Sequence, residues 1–175
     1  MSTTTSKSEY RRKVVARYEY RDADGNLHFQ VCRTEPKSFF IDKKEFYSPE
    51  YSLHIPYNLH LIAKRREYVI FITEGEKDAD LVTRLGEGKI VGTTLACGCA
   101  RLPSDMQKGI HEPSFVEYFR NRWICLAWDY DIPGIVYAIS WLSLLCSYAE
   151  QMGNRMILVP LPYAQLSWDI TDYID

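Results

Sequence analysis

Tyr68-Val-Ile-Phe-Ile-Thr73 runs directly into Glu74-Gly-Glu-Lys-Asp-Ala79, and the junction decides how the chain is read. Six apolar or β-branched residues in succession form the pattern of a strand covered on both faces, as in a parallel sheet. The run stops at a carboxylate and a glycine. Ala79, Leu81, Val82 and Leu85 then recur at helical spacing until Gly86 closes the helix. A strand, an acidic turn and a helix in that order place Glu74 at the carboxyl end of a strand, where open α/β sheets put their chemistry.

The design recurs downstream. Trp123-Ile-Cys-Leu-Ala-Trp128 is a second continuous apolar run, ending in Asp129-Tyr-Asp131-Ile-Pro-Gly134, after which a long apolar helical segment begins. If both strands belong to one parallel sheet, Glu74, Asp129 and Asp131 gather at the same edge. Three carboxylates there repel one another and raise each other's pKa unless a cation is present. Their hard oxygen atoms suit Mg²⁺ or Mn²⁺.

A glutamate-glycine turn after one strand, followed by Asp-x-Asp and a glycine after a later one, resembles the topoisomerase–primase (Toprim) domain. The resemblance is closer to primase-like proteins of phages and mobile elements, in which Glu-Gly-Glu-Lys-Asp-Ala is a common form of the first motif. Those proteins also carry a late Asp-x-x-Asp, matched here by Asp169-Ile-Thr-Asp172. The upstream run from Ala16-Arg-Tyr-Glu-Tyr through Gly25-Asn to Phe29-Gln-Val and Glu35-Pro-Lys is similar to their lead-in. The resemblance covers most of the chain and is strongest from Tyr68 to Gly86 and from Trp123 to Gly134. It implies a Toprim (Rossmann-like) parallel sheet flanked by helices, with an N-terminal β-hairpin lead-in. It further implies Mg²⁺-dependent phosphoryl transfer on nucleic acid by a primase-like catalytic module acting in DNA replication. The partners it implies are single-stranded DNA, nucleotides, and a replication helicase or zinc-binding primase protein.

At 175 residues one domain is the default. The expected division is a flexible tail over 1–12, a β-hairpin lead-in over 13–66 and the Toprim domain over 67–175. A hydrophobic fraction of 46% is ample for a core, and a formal charge of −2 argues against coating nucleic acid by bulk electrostatics. Contact with nucleic acid must then come from local patches or a partner. The five cysteines contain no Cys-x-x-Cys. Cys97-Gly-Cys99 lacks a second half with zinc-site spacing, while Cys125 and Cys146 fall in apolar elements as buried thiols. No signal peptide or membrane-length apolar stretch is read, so the expected compartment is a reducing cytoplasm.

Asp22-Ala-Asp-Gly-Asn26 between β-rich runs signals a hairpin, and Pro56 to Arg66 reads as a helix with Lys64-Arg-Arg66 complementing its dipole. Lys89 to Thr94 is a second parallel strand. Leu95 to Pro113 is a long connection, Ser114 to Arg122 a short helix and Arg155 to Val159 a last strand. Ile135 to Met152 is a strongly apolar helix with Val136, Ile139, Leu142, Leu145 and Ala149 on one stripe.

Glu74 is the candidate general acid/base, against a plain role at the helix dipole. Asp129 and Asp131 are the candidate metal ligands with Glu74, against Asx-turn chemistry ahead of Pro133-Gly134. Asp78, Asp169 and Asp172 are candidate supporting carboxylates. Lys77 and Arg101 are candidate phosphate contacts, and Tyr130 a candidate base-stacking residue. The resembling primases have a Gly-rich turn ending in lysine where this chain has Ala96-Cys-Gly-Cys-Ala-Arg101. They also have a basic residue where this chain has Ile135. Two alternatives stand beside the primase-like reading: a Toprim nuclease, and a non-catalytic module that binds nucleic acid or a replication or defence partner.

Overall fold

A computed structural model describes residues 13–42, 55–96, 116–129, 131–147, 153 and 155–160. Its first unit is an antiparallel sheet of β1 (Lys13–Arg21), β2 (Leu27–Glu35) and β3 (Ser38–Asp42), in spatial order 1-2-3. The β1–β2 connection is built by Asp22, whose side chain accepts the N–H groups of Asp24 (3.0 Å) and Asn26 (2.8 Å). Its other oxygen meets His28 Nε2 at 3.0 Å; desolvation pushes the Asp22 carboxyl up, and the bonds from His28 and Asn26 outweigh it, leaving a pKa of about 2. His28 is thereby a buried partner of the turn.

The second unit is a parallel sheet in the order β5-β4-β6-β7. Its strands are β4 (Val69–Ile72), β5 (Ile90–Thr93), β6 (Trp123–Trp128) and β7 (Arg155–Pro160). The described helices are α1 (Leu59–Lys64), α2 (Glu76–Leu85) and α3 (Ile132–Ser147), with a 3₁₀ turn at Val116–Phe119. β4 and β6 are neighbours, although β5 lies between them in sequence. The chain therefore reverses its direction of growth at the β4–β6 junction, and open α/β sheets bind ligands outside the carboxyl ends of the strands at such a point.

Both faces of the parallel sheet are covered over β4, β5 and β6, which explains their apolar runs, while Ile157 and Leu158 of the edge strand β7 are exposed. On one face Ile70, Ile72, Val91, Ile124 and Leu126 pack with Leu59 and Ile62 of α1 and with Tyr137, Trp141 and Leu145 of α3. On the other, Leu81 and Val82 of α2 meet Ala127, Phe71, Ile90 and Val159. Cys125 is buried, and burial pushes its thiol up to about 11. Among the described residues no helix is long and apolar enough to cross a membrane.

Two differences from the sequence pattern concern α3. It starts at Ile132, three residues before the expected Ile135, because Asp131 caps it and the first turn accommodates Pro133. Its buried face is Tyr137, Ala138, Trp141, Leu144 and Leu145, whereas Val136 and Ile139 of the expected stripe are exposed. A helix that is apolar all round carries no period that selects a face. Tyr137 and Trp141 settle the matter with the largest buried surfaces and with a hydroxyl that finds partners inside. Of the short helix expected over Ser114 to Arg122, the described residues form one 3₁₀ turn at Val116–Phe119.

α2 approaches β5 closely at one point. A Cβ on Gly92 would run into the backbone carbonyl of Ala79, so only glycine fits there. Thr83 reinforces the contact, accepting Gly92 N–H at 2.8 Å and donating to Ala79 O at 2.8 Å. The obstacle is backbone and cannot rotate away. Gly92→Ala is expected to cost about 1–3 kcal/mol and to lower the thermal midpoint by roughly 2–12 °C, read by circular dichroism.

The two sheets are joined through the first turn of α2. Tyr18, Tyr20, Phe29 and Val31 pack with Tyr57, Ala79 and Ala96. Inside this cluster the Tyr20 hydroxyl donates to Glu76 Oε1 at 2.7 Å. Glu76 is buried, and desolvation raises its pKa above 4.5 while the Tyr20 bond works in the opposite direction. A carboxyl whose folded pKa lies above its unfolded value binds extra protons when folded, so it loses stability as pH rises through that window. Tyr20→Phe removes the bond that limits this loss. The variant is expected to be destabilised by about 1–3 kcal/mol at pH 7 and by less below pH 4.5, measured by urea unfolding at both pH values.

Candidate active site

The carboxyl ends of β4 and β6 bring Glu74 and Asp129 onto one rim. Asp129 N–H donates to Glu74 Oε1 at 2.8 Å, tying the turn after β6 to the acid after β4. From there the chain folds tightly: Asp131 N–H returns to Asp129 O at 2.8 Å, a three-residue turn. Asp131 Oδ1 accepts Gly134 N–H at 2.7 Å, and Ile135 N–H bonds to Asp131 O at 3.0 Å. Asp131 is thus the N-cap of α3, with its side chain on the third residue of the helix.

Gly134 is the piece that lets these groups meet. A Cβ there would strike Glu74 Oε1 and the Asp129 carbonyl oxygen. The glycine leaves room for the Glu74 carboxylate against the first turn of α3. Nothing in the sequence pattern beyond a glycine after Asp-x-Asp marks this steric need.

Glu74 is half-buried, and its pKa is raised above 4.5. Desolvation is the main cause, the Asp129 N–H opposes it, and the charges of Asp131 and Asp78 add to it. Asp78, buried in the first turn of α2, is therefore part of the electrostatic surroundings of Glu74. Among the described residues, no three His, Cys, Asp or Glu side chains are grouped closely enough to hold a metal ion.

Behind the rim, Thr94 and Tyr137 fix the backbone. Thr94 Oγ1 donates to Glu74 O at 3.1 Å, and Tyr137 O–H donates to Thr73 O at 3.0 Å. The two hydroxyl oxygens are 3.0 Å apart. The sequence pattern singles out neither residue. Thr94 closes a strand of ordinary β-branched residues, and Tyr137 sits in a helix whose period points elsewhere.

The remaining candidates fall in different places. Lys77 is exposed and lines a groove between α1 and α2 with Asn58, Leu61, Asp80 and Arg84. None of Glu74, Asp129 and Asp131 lines that groove. Arg101, Tyr130, Asp169, Asp172 and the pair Cys97 and Cys99 lie outside the described residues.

No protein-family model matches the chain, and no curated protein matches it in sequence. Its fold, a parallel α/β sheet with an antiparallel lead-in sheet, is that of primase catalytic cores. The E. coli primase catalytic core superposes over 98% of this chain and 52% of its own, with TM-score 0.59 and 13% identity. The primase fragment of the bacteriophage T7 primase-helicase matches over 83% of this chain and 52% of its own, with TM-score 0.55 and 22% identity. A chain from a bacteriophage T7 assembly also matches, in which the lagging-strand DNA polymerase interacts with primase domains bound to an RNA/DNA hybrid and dTTP. There the figures are 83% of this chain, 65% of that one, TM-score 0.52 and 24% identity. This chain spans between about half and two thirds of the length of those chains. At such identities the likeness establishes the fold.

Glu74→Gln keeps an oxygen for Asp129 N–H and removes a charge that burial and two neighbouring acids disfavour. Because the Glu74 pKa is raised, its ionisation costs stability above pH 4.5. The variant is expected to melt no lower than the parent at pH 7–8 and to lose that advantage below pH 4.5. Gly134→Ala forces Glu74 aside and is expected to destabilise by about 1–3 kcal/mol at every pH. Thermal melts across pH 4–8 distinguish the two.

Proposed function

We propose that this chain is a Toprim-type catalytic module for divalent-metal-dependent phosphoryl transfer on nucleic acid, primase-like in its reaction and acting in DNA replication. The observation that carries the reading is the Glu74–Asp129 contact at the switch point of a primase-like sheet. Two acids far apart in sequence are locked together at the place where such sheets bind ligands.

The donor set fits a hard cation. Glu74, Asp129 and Asp131 would hold Mg²⁺ or Mn²⁺ at this rim, with Asp78 in support. Since no three of the described side chains enclose an ion by themselves, water and substrate phosphate would complete its shell, as is usual for Mg²⁺. Such a cation, when bound, would supply charge neutralisation at a transferring phosphoryl group and help to orient the displacement. Glu74 takes or gives the proton at the attacking or leaving oxygen, and its raised pKa suits it to that exchange. The Asp129 N–H fixes one of its oxygens. Thr94 holds its backbone, and Gly134 keeps the approach open.

By the same reading the substrates are single-stranded DNA and nucleotides, and the partners a replication helicase or a zinc-binding primase protein. The T7 assembly, with its RNA/DNA hybrid and dTTP, supports that substrate class. One observation favours a second reading, a non-catalytic module: Asp131 spends an oxygen on capping α3.

The test is incubation with labelled single-stranded DNA and nucleotides, with and without Mg²⁺. Metal-dependent extension, reduced about 10²-fold or more in Glu74→Gln and Asp129→Asn, is the expected result. Shortened strands with the same metal and residue dependence assign a nuclease instead. No reaction, together with a melting temperature indifferent to Mg²⁺ in both parent and Asp129→Asn, overturns the catalytic reading.

A further inference from the structure

The opposite rim of the parallel sheet, at the amino ends of its strands, has the reverse chemistry. Exposed Lys64 ends α1, Arg65 and Arg66 follow it, Lys89 precedes β5, Arg120 precedes β6 and Arg155 opens β7. Backbone bonds bring these segments together. Val69 N–H bonds to Lys89 O at 2.9 Å and Arg155 N–H to Arg122 O at 3.0 Å. The buried Arg122 donates through Nη2 to Ile62 O at 2.9 Å, fastening the end of α1 beside the start of β6. Arg66 lies close enough to Arg122 for the two charges to act on each other.

No ion pair among the described residues involves any of the six exposed cations. Among the described residues the acids on this rim are Glu67, Glu87 and Glu117, also exposed, so described cations outnumber described acids here in a chain of net charge −2. Lys64 answers the dipole at the end of α1.

Aromatic rings lie among these cations. Trp123 is 46% exposed, and the Arg155 guanidinium sits 5.1 Å from its ring centroid. Arg65 sits 5.2 Å from the ring of Tyr68. Each pair holds a planar cation against a π-face at the surface, and the Trp123 side chain remains open to solvent. Four strands at a spacing of about 4.8 Å make the rim roughly 14 Å wide.

From this arrangement we propose a second contact surface for single-stranded nucleic acid, at the rim opposite Glu74. Arginine and lysine side chains meet the phosphates, and Trp123, braced by Arg155, stacks on an unpaired base. Stacking on an exposed ring requires a base free of its duplex partner, and basic grooves with aromatic platforms are the general solution for single strands. The six residue-to-residue steps from Tyr68 to Glu74, at about 3.3 Å each, put the surface some 20 Å from the acidic rim. A strand held here is bound without cation or chemistry. The inference therefore stands apart from the catalytic reading.

The experiment is fluorescence anisotropy of a fluorescein-labelled oligo-dT with the full chain in EDTA, so that no metal bridges the strand to the acidic rim. Binding is expected to weaken roughly 5- to 100-fold in Trp123→Ala. In Arg65→Glu and Arg155→Glu the slope of log affinity against log salt is expected to become shallower by about 0.7 for each phosphate no longer neutralised. Lys37→Glu, the same charge reversal at an exposed site on the hairpin sheet, controls for net charge and is expected to change little. Circular dichroism checks that each variant is folded, and Trp123→Phe, which keeps a ring, is expected to retain most of the binding. The proposal is overturned if the parent fails to bind oligo-dT at low salt. It is also overturned if the rim variants match Lys37→Glu, or if they lose binding to polyglutamate while keeping oligo-dT, which marks a protein-docking surface. Loss of metal-dependent activity in Asp129→Asn with intact binding in EDTA separates the two sites.

Discussion

A single backbone N–H, that of Asp129, bonded to the side chain of Glu74, joins the two halves of the acidic rim. The bond requires β4 and β6 to be neighbours, which requires the chain to pass over β4 after completing β5. It also requires a residue without a side chain at position 134, because the first turn of α3 occupies the space beside the carboxylate. Sheet order, helix start and glycine are conditions on one hydrogen bond. An acid half withdrawn from water, with two more acids nearby, is held in place by that bond and by Thr94 on its backbone.

The motif around Glu74 and the strand at Trp123 are legible in the sequence because a continuous apolar run needs cover on both faces, and an acid with a glycine marks where that cover ends. The hairpin is legible from Asp22 to Asn26 because its turn chemistry is local, and Asp22 satisfies the turn by itself. The packed face of α3 is not legible. Its apolar residues surround the axis, and the choice of face depends on Tyr137 reaching Thr73 and Thr94, residues more than forty positions away.

The role of Asp131 shows how a pattern can carry two meanings. Asp-x-Asp followed by a glycine reads as a ligand pair, and it reads equally as a turn with a helix cap. The structure uses the second meaning for one oxygen of Asp131, while the charge of the same residue still bears on Glu74. Residue type and spacing alone select neither function. Gly134, whose missing side chain makes room for Glu74, reads in the sequence only as punctuation before a helix.

The junction between Tyr20 and Glu76 bears on modularity. Glu74 and Glu76 stand on either side of one glycine, and the second is anchored inside the aromatic cluster of the lead-in sheet. Pulling the lead-in away would strip the anchor from the helical turn that begins next to the acid. Grafting a foreign lead-in onto this sheet would therefore have to reproduce a phenol at the same spot. In this chain the two sheets are not interchangeable cassettes, and inheritance would keep them together.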